Sequence, residues 1–455
     1  MKLVGYSDRM SVDPGSDINF MVSSELESFD ADVVRLIHGD TNPAGPGFKS
    51  ESVESELTGR YPGKYQKLRT GSFVHIPQNK ALTLDGSFSI HMWIRPTMPD
   101  KERQSLISRV SPDGVGFALR LESGRLSLQV GPDPGTVATV ERVIEPYTWY
   151  SVTAVYDAES GQARLSLDPL APTASELADS TTQTLPVSTA TSGDVLIAAE
   201  LVTDGDESVA GNFYNGKIDA PRVFNRALNE AEAAALSDNT RLQADGLVAA
   251  WDFSADMSSS AITDVSGNGL HGRTVNKPMR AATGWNWDGS ETAWPHAAEQ
   301  YGAIHFHDDD LDDVGWERSL EWTVPDDLAS GIYAVHLHSG EDEDFIPFVV
   351  RPKRGQATAK IVFLWPTFSH LAYSNEHLLA GAGKELLLSL GLGGEALENY
   401  PSTPQDKYII ENKLNSLYDV HTDGSGVCYS SHLRPLLNMR PKYHMTGLNN
   451  GKGSA

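Results

Sequence analysis

Alternation of apolar and polar positions predicts two sets of β-strands, one near the start of the chain and one before residue 352. The six runs lie at residues 2–6, 17–22, 32–37, 319–324, 331–337 and 345–350. Such alternation is typical of strands with one face buried. Three strands alone make no sandwich, so the two sets are predicted to form one discontinuous immunoglobulin-like β-sandwich from residues 1–50 and 301–352.

The segment between the two sets, residues 51–300, is predicted to be an inserted domain. Its alternating runs at 87–94, 116–122, 125–130, 149–156 and 163–167 are separated by turn residues and predict an antiparallel jelly-roll β-sandwich. The loop at 41–47, rich in Gly and Pro, is the expected point of insertion. One short helix is predicted at 229–236, where Asn229 precedes acidic residues and strong helix formers.

Residues 353–455 are predicted to be the first part of an α/β catalytic domain that is incomplete in this chain. The apolar run at 360–365 is typical of a parallel strand covered on both faces. Helix formers interrupted by glycines follow at 376–390, and an irregular excursion is predicted at 391–413. A lone strand with one or two helices makes no sheet, so completion by another chain or segment is expected.

Composition narrows the function classes. The 455 residues are 40% hydrophobic and 21% charged, as in a globular protein of about three domains. The formal charge of −25 argues against nucleic acid or an anionic membrane as a partner. No apolar run reaches the ~18 residues of a membrane span, so a cytoplasmic protein is expected. The single cysteine, Cys428, excludes an intrachain disulfide and any multi-cysteine zinc site.

Tyrosines and histidines supply the candidate chemistry of residues 353–455. A phenol titrates near pH ~10, so it binds as an anion only to a strongly Lewis-acidic ion, and hard oxygen donors favour ferric iron over zinc or copper. A tyrosine beside apolar neighbours is more often a core residue, so the residue types alone leave several kinds of site open. The candidates are Tyr373, Tyr400, Tyr408, Tyr418, Tyr429, Tyr443, His370, His377, His421, His432 and His444.

Two resemblances emerge from longer motifs. Residues 88–94, 214–224, 251–253 and 264–272 look like parts of a laminin-G/concanavalin-A-like jelly roll, with the last two displaced from their usual place at the start. Nearly the whole chain resembles the large subunit of N,N-dimethylformamidase. The motifs that carry this second resemblance lie at residues 33–47, 284–289, 299–307, Leu371-Ala-Tyr-Ser-Asn-Glu376, 418–427, 434–435 and 438–442.

The second resemblance implies a mononuclear non-haem iron, Fe(III), held by two tyrosinates and one glutamate. It implies hydrolysis of formamides to formate and an amine, and a small helical partner subunit. The two tyrosines fall on Tyr373 and Tyr418. The family's glutamate lies in a Gly-Ser-His-Pro-Glu motif that does not occur in this sequence. Either this chain is a fragment, or it is a split or nicked chain and a second polypeptide with the remaining α/β part of the large subunit docks against residues 355–445 and supplies the third ligand. A hetero-oligomer is expected.

Two other functions remain open on the residues. The sandwiches could bind carbohydrate or protein without catalysis, with Trp251, Trp285 and Trp287 as a stacking platform. Alternatively, Cys428 could be the nucleophile of an amidase, with His432 at helical spacing and Asp423 upstream. The general base of the iron mechanism is not identified, although His377 and His421 lie near the candidate ligands in the sequence.

Overall fold

The computed structural model describes residues 1–82, 84, 86–111, 113–132, 136–185, 193–238, 245–380, 389 and 403–444. The chain divides into two compact units. The first unit is Met1–Thr70 with Leu311–Ala455, and the second unit is Gly71–Asp310. The sequence-based division placed these boundaries near residues 50 and 300 instead.

The strands follow the chain in this order. The first unit begins with β1 (Leu3–Ser7), β2 (Ser11–Val12), β3 (Asp17–Ser24), β4 (Ser28–His38), β5 (Lys49–Val53) and β6 (Gly59–Pro62). The second unit holds β7 (Phe73–Ile76), β8 (Phe88–Pro96), β9 (Arg103–Val110), β10 (Val115–Glu122), β11 (Arg125–Pro132), β12 (Val137–Thr139), β13 (Tyr150–Asp157), β14 (Gln162–Pro169), β15 (Asp179–Thr184), β16 (Val195–Ile197), β17 (Glu200–Asp204), β18 (Glu207–Gly211), β19 (Gly216–Phe224), β20 (Leu247–Asp252), β21 (Ala261–Asp264), β22 (Gly272–Val275), β23 (Met279–Ala282) and β24 (Ala303–Phe306). The first unit then continues with β25 (Arg318–Thr323), β26 (Gly331–Ser339) and β27 (Asp342–Val350). The strands predicted from alternation up to residue 350 are confirmed.

Helices are few among the described residues. The α-helices are α1 (Glu230–Asp238), α2 (Thr367–Tyr373) and α3 (Pro404–Glu411). Short 3-10 helices lie at Lys80–Leu82, Pro172–Leu177, Trp294–His296, Ala298–Tyr301, Leu378–Ala380 and Leu437–Met439. No helix in the described ranges is long and apolar enough to cross a membrane.

The first unit contains a β-sandwich. One sheet has the order β1-β3-β25, and the other has the order β2-β27-β26-β4-β5, with β6 also paired to β4. Because successive side chains alternate between faces, Phe29, Ala31 and Val33 of β4 point into a core shared with residues of the other sheet, such as Phe20 and Trp322. The structure therefore shows a sandwich, whereas its immunoglobulin-like character is not confirmed.

Strand β1 is buried on both faces, and its second face receives the C-terminal segment. Val4 and Tyr6 pack in an apolar cluster with Ile409 of α3, Leu414 and Leu437. This cluster attaches the otherwise irregular residues 403–444 to the sandwich. Helix α3 lies where an irregular excursion was predicted. The overlooked signal is a capping box, in which the Thr403 side chain accepts from the backbone N–H of Asp406 and the Asp406 carboxylate accepts from that of Thr403.

The second unit is also built from antiparallel sheets. Its main path runs β12-β11-β10-β9-β16-β7-β22-β21-β20-β19-β8-β13-β14-β15, with β24 paired to β19 and β23. Most buried apolar side chains from these strands form one large cluster, in which the indole N–H of Trp251 donates to the carbonyl of Leu270 at 2.8 Å. The predicted helix is confirmed as α1. The Asn229 side chain caps it by accepting from the backbone N–H of Glu232 at 3.0 Å.

The prediction of a buried parallel strand at residues 360–365 is wrong. This stretch belongs to no strand, and the side chains of Ile361, Val362, Phe363 and Leu364 are 72–89% exposed. A strand needs a neighbour for its backbone N–H and C=O groups, and none of the described residues supplies one. In the described part of residues 353–444 the β-structure is limited to an isolated bridge between Val420 and Gly426. An α/β architecture is therefore not confirmed. The predicted helical stretch beyond residue 380 and the tail after 444 fall largely outside the described residues.

A buried ion pair in the second unit gives a test of its packing. Nε of Arg120 lies 2.6 Å from Oε2 of Glu200, and both side chains are at most 3% exposed. Glu200→Ala leaves the Arg120 charge buried without this partner, so we expect a loss of about 3–5 kcal/mol in the free energy of unfolding. Urea denaturation of the whole chain measures it. The control is Glu122→Ala, which breaks the more exposed pair with Arg103 and is expected to cost at most about 1 kcal/mol. Equal losses in the two variants would contradict the argument.

Candidate metal site at Tyr373 and Tyr418

The two candidate tyrosines lie side by side in the first unit. Tyr373 is the last residue of α2, and its ring stacks on the ring of Tyr418 with centroids 4.3 Å apart and planes inclined by 25°. The two side chains are about half exposed, at 45% and 48%. The fold thus joins two residues that are distant in the sequence. Their role as metal ligands stays a prediction.

Asn375 fixes the backbone that follows Tyr373. Its backbone is left-handed, with φ of +66°, a conformation that Asn tolerates better than most side chains. The Asn375 side chain donates to the carbonyl of Pro435 at 2.8 Å and accepts from the N–H of Leu437 at 2.7 Å. In return, the Asn438 side chain accepts from the N–H of Asn375 and donates to the carbonyl of Tyr373. Two buried amides therefore hold the end of α2 against residues 435–438.

Asp419 orders the turn that carries Tyr418. Its buried carboxylate accepts from the backbone N–H of Ser416 at 2.8 Å and from that of His377 at 3.2 Å. The Nδ1 atom of His377 lies 3.2 Å from the same carboxylate. The N–H of Leu417 donates to the carbonyl of Ala372 at 3.1 Å, which ties this turn directly to α2. His377 is therefore a structural partner of Asp419 in this arrangement.

The contact between the tyrosines affects the protonation of Tyr418. A hydrogen bond with the Tyr373 hydroxyl raises the pKa of Tyr418 above its ordinary value. The raised pKa favours the neutral phenol of Tyr418 at neutral pH, and a Lewis-acidic cation would have to displace its proton. Glu376, in the same motif as Tyr373, has a pKa raised by burial, and its Oε1 accepts from the N–H of Leu378 at 2.8 Å.

Other tyrosines of the sequence analysis have structural surroundings. The Tyr443 hydroxyl donates to Oδ1 of buried Asp406 at 2.8 Å, and burial raises the pKa of Tyr408, which packs in the apolar cluster beneath α3. Tyr429 is 44% exposed, and Tyr400 lies outside the described residues. Among the described tyrosines, only Tyr373 and Tyr418 stack on one another.

The surroundings of Cys428 do not favour the hypothesis that it is the nucleophile of an amidase. Residues 428–432 are not helical, so the spacing argument that paired Cys428 with His432 is wrong. Nε2 of His432 lies 3.1 Å from the carbonyl oxygen of Asp8, whereas the Cys428 sulfur lies 3.6 Å from that of Gly426. His421 is buried, and its N–H donates to the carbonyl of Ser425 at 2.8 Å.

The three tryptophans of the binding hypothesis do not form one platform. Trp251 is 1% exposed and belongs to the core of the second unit. Trp285 stacks face to face on Trp93, with centroids 4.4 Å apart, and Trp287 donates its indole N–H to the carbonyl of Glu291. A stacking platform needs exposed ring faces, which Trp251 lacks.

The tyrosine pair fits a hard metal ion in part. It brings together two half-exposed tyrosine side chains, and phenol oxygens are the donor type that ferric iron prefers. A nearby cavity of about 40 Å³, lined by Trp365, His370, His432, Arg434 and Arg440 among others, holds little more than one or two water molecules and is not lined by either tyrosine. Neither tyrosine therefore lines this cavity.

Comparison with known proteins adds evidence that the geometry lacks. Residues 279–453 match the family described as N,N-dimethylformamidase beta subunit-like, C-terminal, and residues 68–234 match the concanavalin A-like lectin/glucanases superfamily. The N,N-dimethylformamidase beta subunit of Paracoccus aminophilus is 41% identical over 97% of this chain and 61% of its own length. The corresponding subunit of an Alcaligenes species is 39% identical over 96% and 60%. The chain is similar to N,N-dimethylformamidase beta subunits.

The chain spans about three fifths of the length of these curated relatives. The relatives are named beta subunits, so the expected resemblance to a large subunit is confirmed for the enzyme but not for the subunit name. Among solved structures, a putative carbohydrate binding protein from Bacteroides ovatus ATCC 8483 aligns with 60% of this chain and 91% of its own at 12% identity, with a TM-score of 0.33. That likeness is too weak to support an argument about fold or function.

The Asn375 contacts predict how the site is stabilised. Asn375→Ala removes the partners of the Pro435 carbonyl and the Leu437 N–H, so we expect a loss of about 2–4 kcal/mol in the free energy of unfolding. Asn375→Gly relieves the left-handed backbone but not the lost hydrogen bonds, so it should remain clearly destabilised. Asn412→Ala is the control, because its amide makes one part-buried bond to the Tyr408 carbonyl. If Asn375→Ala unfolds at the same urea concentration as the control, Asn375 does not hold the site.

Proposed function

We propose that this chain is part of an iron-dependent amidohydrolase that cleaves N,N-dimethylformamide-type formamides to formate and an amine. The observation that carries the proposal is the stacking of Tyr373 on Tyr418, two residues from separate motifs of the resemblance. The similarity to N,N-dimethylformamidase beta subunits supports the reaction class. The two half-exposed tyrosines would supply two oxygen ligands to the iron, and the third ligand would come from outside residues 1–455.

The two phenols would hold Fe(III) as tyrosinates. Bound iron would supply Lewis acidity toward the formyl oxygen and stabilise the charge that develops on it. The contribution of this chain is positional. Asn375 and Asp419 fix the two backbone segments through buried hydrogen bonds, so both hydroxyls are presented without a large rearrangement. The general base is not identified among the described residues.

The exposed apolar strip, residues 361–364, is proposed as the place where the remaining α/β part attaches. Four consecutive apolar side chains in water mark an interaction site, since burying each one is worth about 1.5–3 kcal/mol. Pairing as a strand would also satisfy the backbone groups of this stretch. A small helical subunit, a hetero-oligomeric assembly and a cytoplasmic location belong to the same proposal. The naming of the relatives as subunits supports the assembly of several chains.

Conservative changes at the two tyrosines test the iron site. Tyr373→Phe and Tyr418→Phe each remove one hydroxyl while keeping the ring stack, so we expect loss of bound iron, of the visible phenolate-to-iron absorption band and of formate release from N,N-dimethylformamide. Metal analysis and visible spectra are taken on the complex as it purifies. Tyr429→Phe is the matched control, because Tyr429 is about as exposed and lies in the same unit.

Two outcomes would contradict the iron assignment. Either tyrosine variant could keep full iron content and turnover, which would exclude that residue as a ligand. Alternatively, Cys428→Ser could abolish formate release with iron content unchanged, which would favour a thiol nucleophile. We expect Cys428→Ser to keep both iron and activity.

Charge placed on the exposed strip tests the docking surface. Val362→Asp combined with Leu364→Asp should abolish co-purification of the completing polypeptide and formate release, because carboxylates cannot be buried there without large cost. The chain's own unfolding should not change, since both side chains are already exposed. Ala357→Asp with Ala359→Asp adds the same charge at exposed positions outside the strip and is the control. An assembled, active complex from the strip variant would contradict this docking site.

A further inference from the structure

Two histidines and an aspartate meet on the outer face of the larger sheet of the first unit. His336 and His338 are separated by one residue on β26, so their side chains share a face, while Leu337 between them points into the core. Asp32 lies directly opposite His336 on the paired strand β4. The site therefore rests on two hydrogen-bonded strands, which position side chains more rigidly than loops.

The distances within this cluster suit a small metal ion. Nδ1 of His336 lies 3.2 Å, and Nε2 of His338 lies 3.4 Å, from the same oxygen, Oδ2 of Asp32. Metal bonds of 2.0–2.1 Å at tetrahedral angles place two ligand atoms about 3.3–3.4 Å apart. One potential ligand atom from each of the three residues lies within 4.8 Å of the others. A metal at the centre would need only small side-chain adjustments.

A second carboxylate lies behind His336. Its other ring nitrogen, Nε2, lies 3.3 Å from Oε2 of Glu343, so the two imidazoles make three contacts with carboxylates.

Glu343 is placed to hold the His336 ring in position and not to bind the metal itself. Nζ of Lys442 lies 2.8 and 2.9 Å from its two carboxylate oxygens, which already balances its charge. If the N–H of His336 is on Nε2 and donates to Glu343, the Nδ1 lone pair points toward Asp32. Metal-binding histidines commonly have such a carboxylate behind them, which fixes the tautomer. The ring of His336 is further held by stacking on Phe345, with centroids 4.3 Å apart.

We propose that Asp32, His336 and His338 bind a divalent transition-metal ion such as Zn²⁺, with water in the fourth position. Imidazole nitrogens favour such ions over Mg²⁺ or Ca²⁺. The ion would join β4 to β26, and through Glu343 it would also stiffen β27. This site is independent of the tyrosine pair and of the proposed hydrolysis.

Titration with Co²⁺ tests the site, because tetrahedral Co²⁺ has visible absorption. The full chain is stripped with a chelator, titrated with Co²⁺ and back-titrated with Zn²⁺. We expect His338→Ala and Asp32→Asn each to lose one equivalent of bound Co²⁺ relative to the unmodified chain, and Glu343→Gln to bind about 10–100-fold more weakly. A roughly hundredfold excess of Mg²⁺ should not displace the Co²⁺. Tyr373 and Tyr418 are present in every variant, so metal bound there cancels in the comparison.

His75→Ala is the matched control, since His75 forms a single pair with Asp194 at 2.7 Å and is part-exposed. It should keep the full number of equivalents. His338 is 42% exposed, so its removal should leave the metal-free unfolding midpoint unchanged, and His338→Gln repeats the test with a side chain closer in size. Zn²⁺ should raise the unfolding midpoint of the unmodified chain but not that of the two His338 variants. Equal Co²⁺ binding by the unmodified chain and both His338 variants would overturn the proposal.

Discussion

A buried ion pair between Asp344 of β27 and Arg440 joins the C-terminal segment to the sandwich of the first unit. Nε of Arg440 lies 3.1 Å from Oδ1 of Asp344, and both side chains are at most 4% exposed. The other oxygen of Asp344 accepts from the N–H of Gly5 in β1, and Arg440 donates to the Gly5 carbonyl. A Cβ at Gly5 would lie 2.9 Å from the backbone carbonyl oxygen of Met21 on the paired strand β3, so any larger residue would force the backbone to shift.

This ion pair fixes the position of the C-terminal segment, but it adds little to the free energy of unfolding. Burial raises the pKa of Asp344 and lowers that of Arg440, and each charge opposes the shift of the other. The desolvation of both groups offsets much of their attraction, whereas losing one partner would leave a buried charge alone. The segment that carries Asn438 is thereby held in one place against β1 and β27. Asn438 accepts a hydrogen bond from the N–H of Asn375 and donates one to the carbonyl of Tyr373. The end of α2 is therefore held in place together with this segment.

The candidate tyrosine site therefore depends on side chains that bond to backbone, in a region with little regular structure. Such regions have few cooperative hydrogen-bond ladders and are at the less stable end of a fold. The apolar strip at 361–364 lies in the same stretch of chain and faces water in the described structure. The histidine cluster is different in kind, because three paired strands already set its geometry.

The sequence by itself determined the elements whose signal is local. Alternation over five or more residues located six strands of the first unit and five of the second, and Asn229 with its acidic neighbours located α1, because periodicity and capping act within a few residues. The motifs likewise singled out Tyr373 and Tyr418 through resemblance. Only the tertiary structure decided that their rings touch and that β5 and β6 join the larger sheet of the first unit. It also decided that residues 360–365 form no strand, because pairing depends on partners distant in the sequence or outside the described residues, which local pattern does not encode.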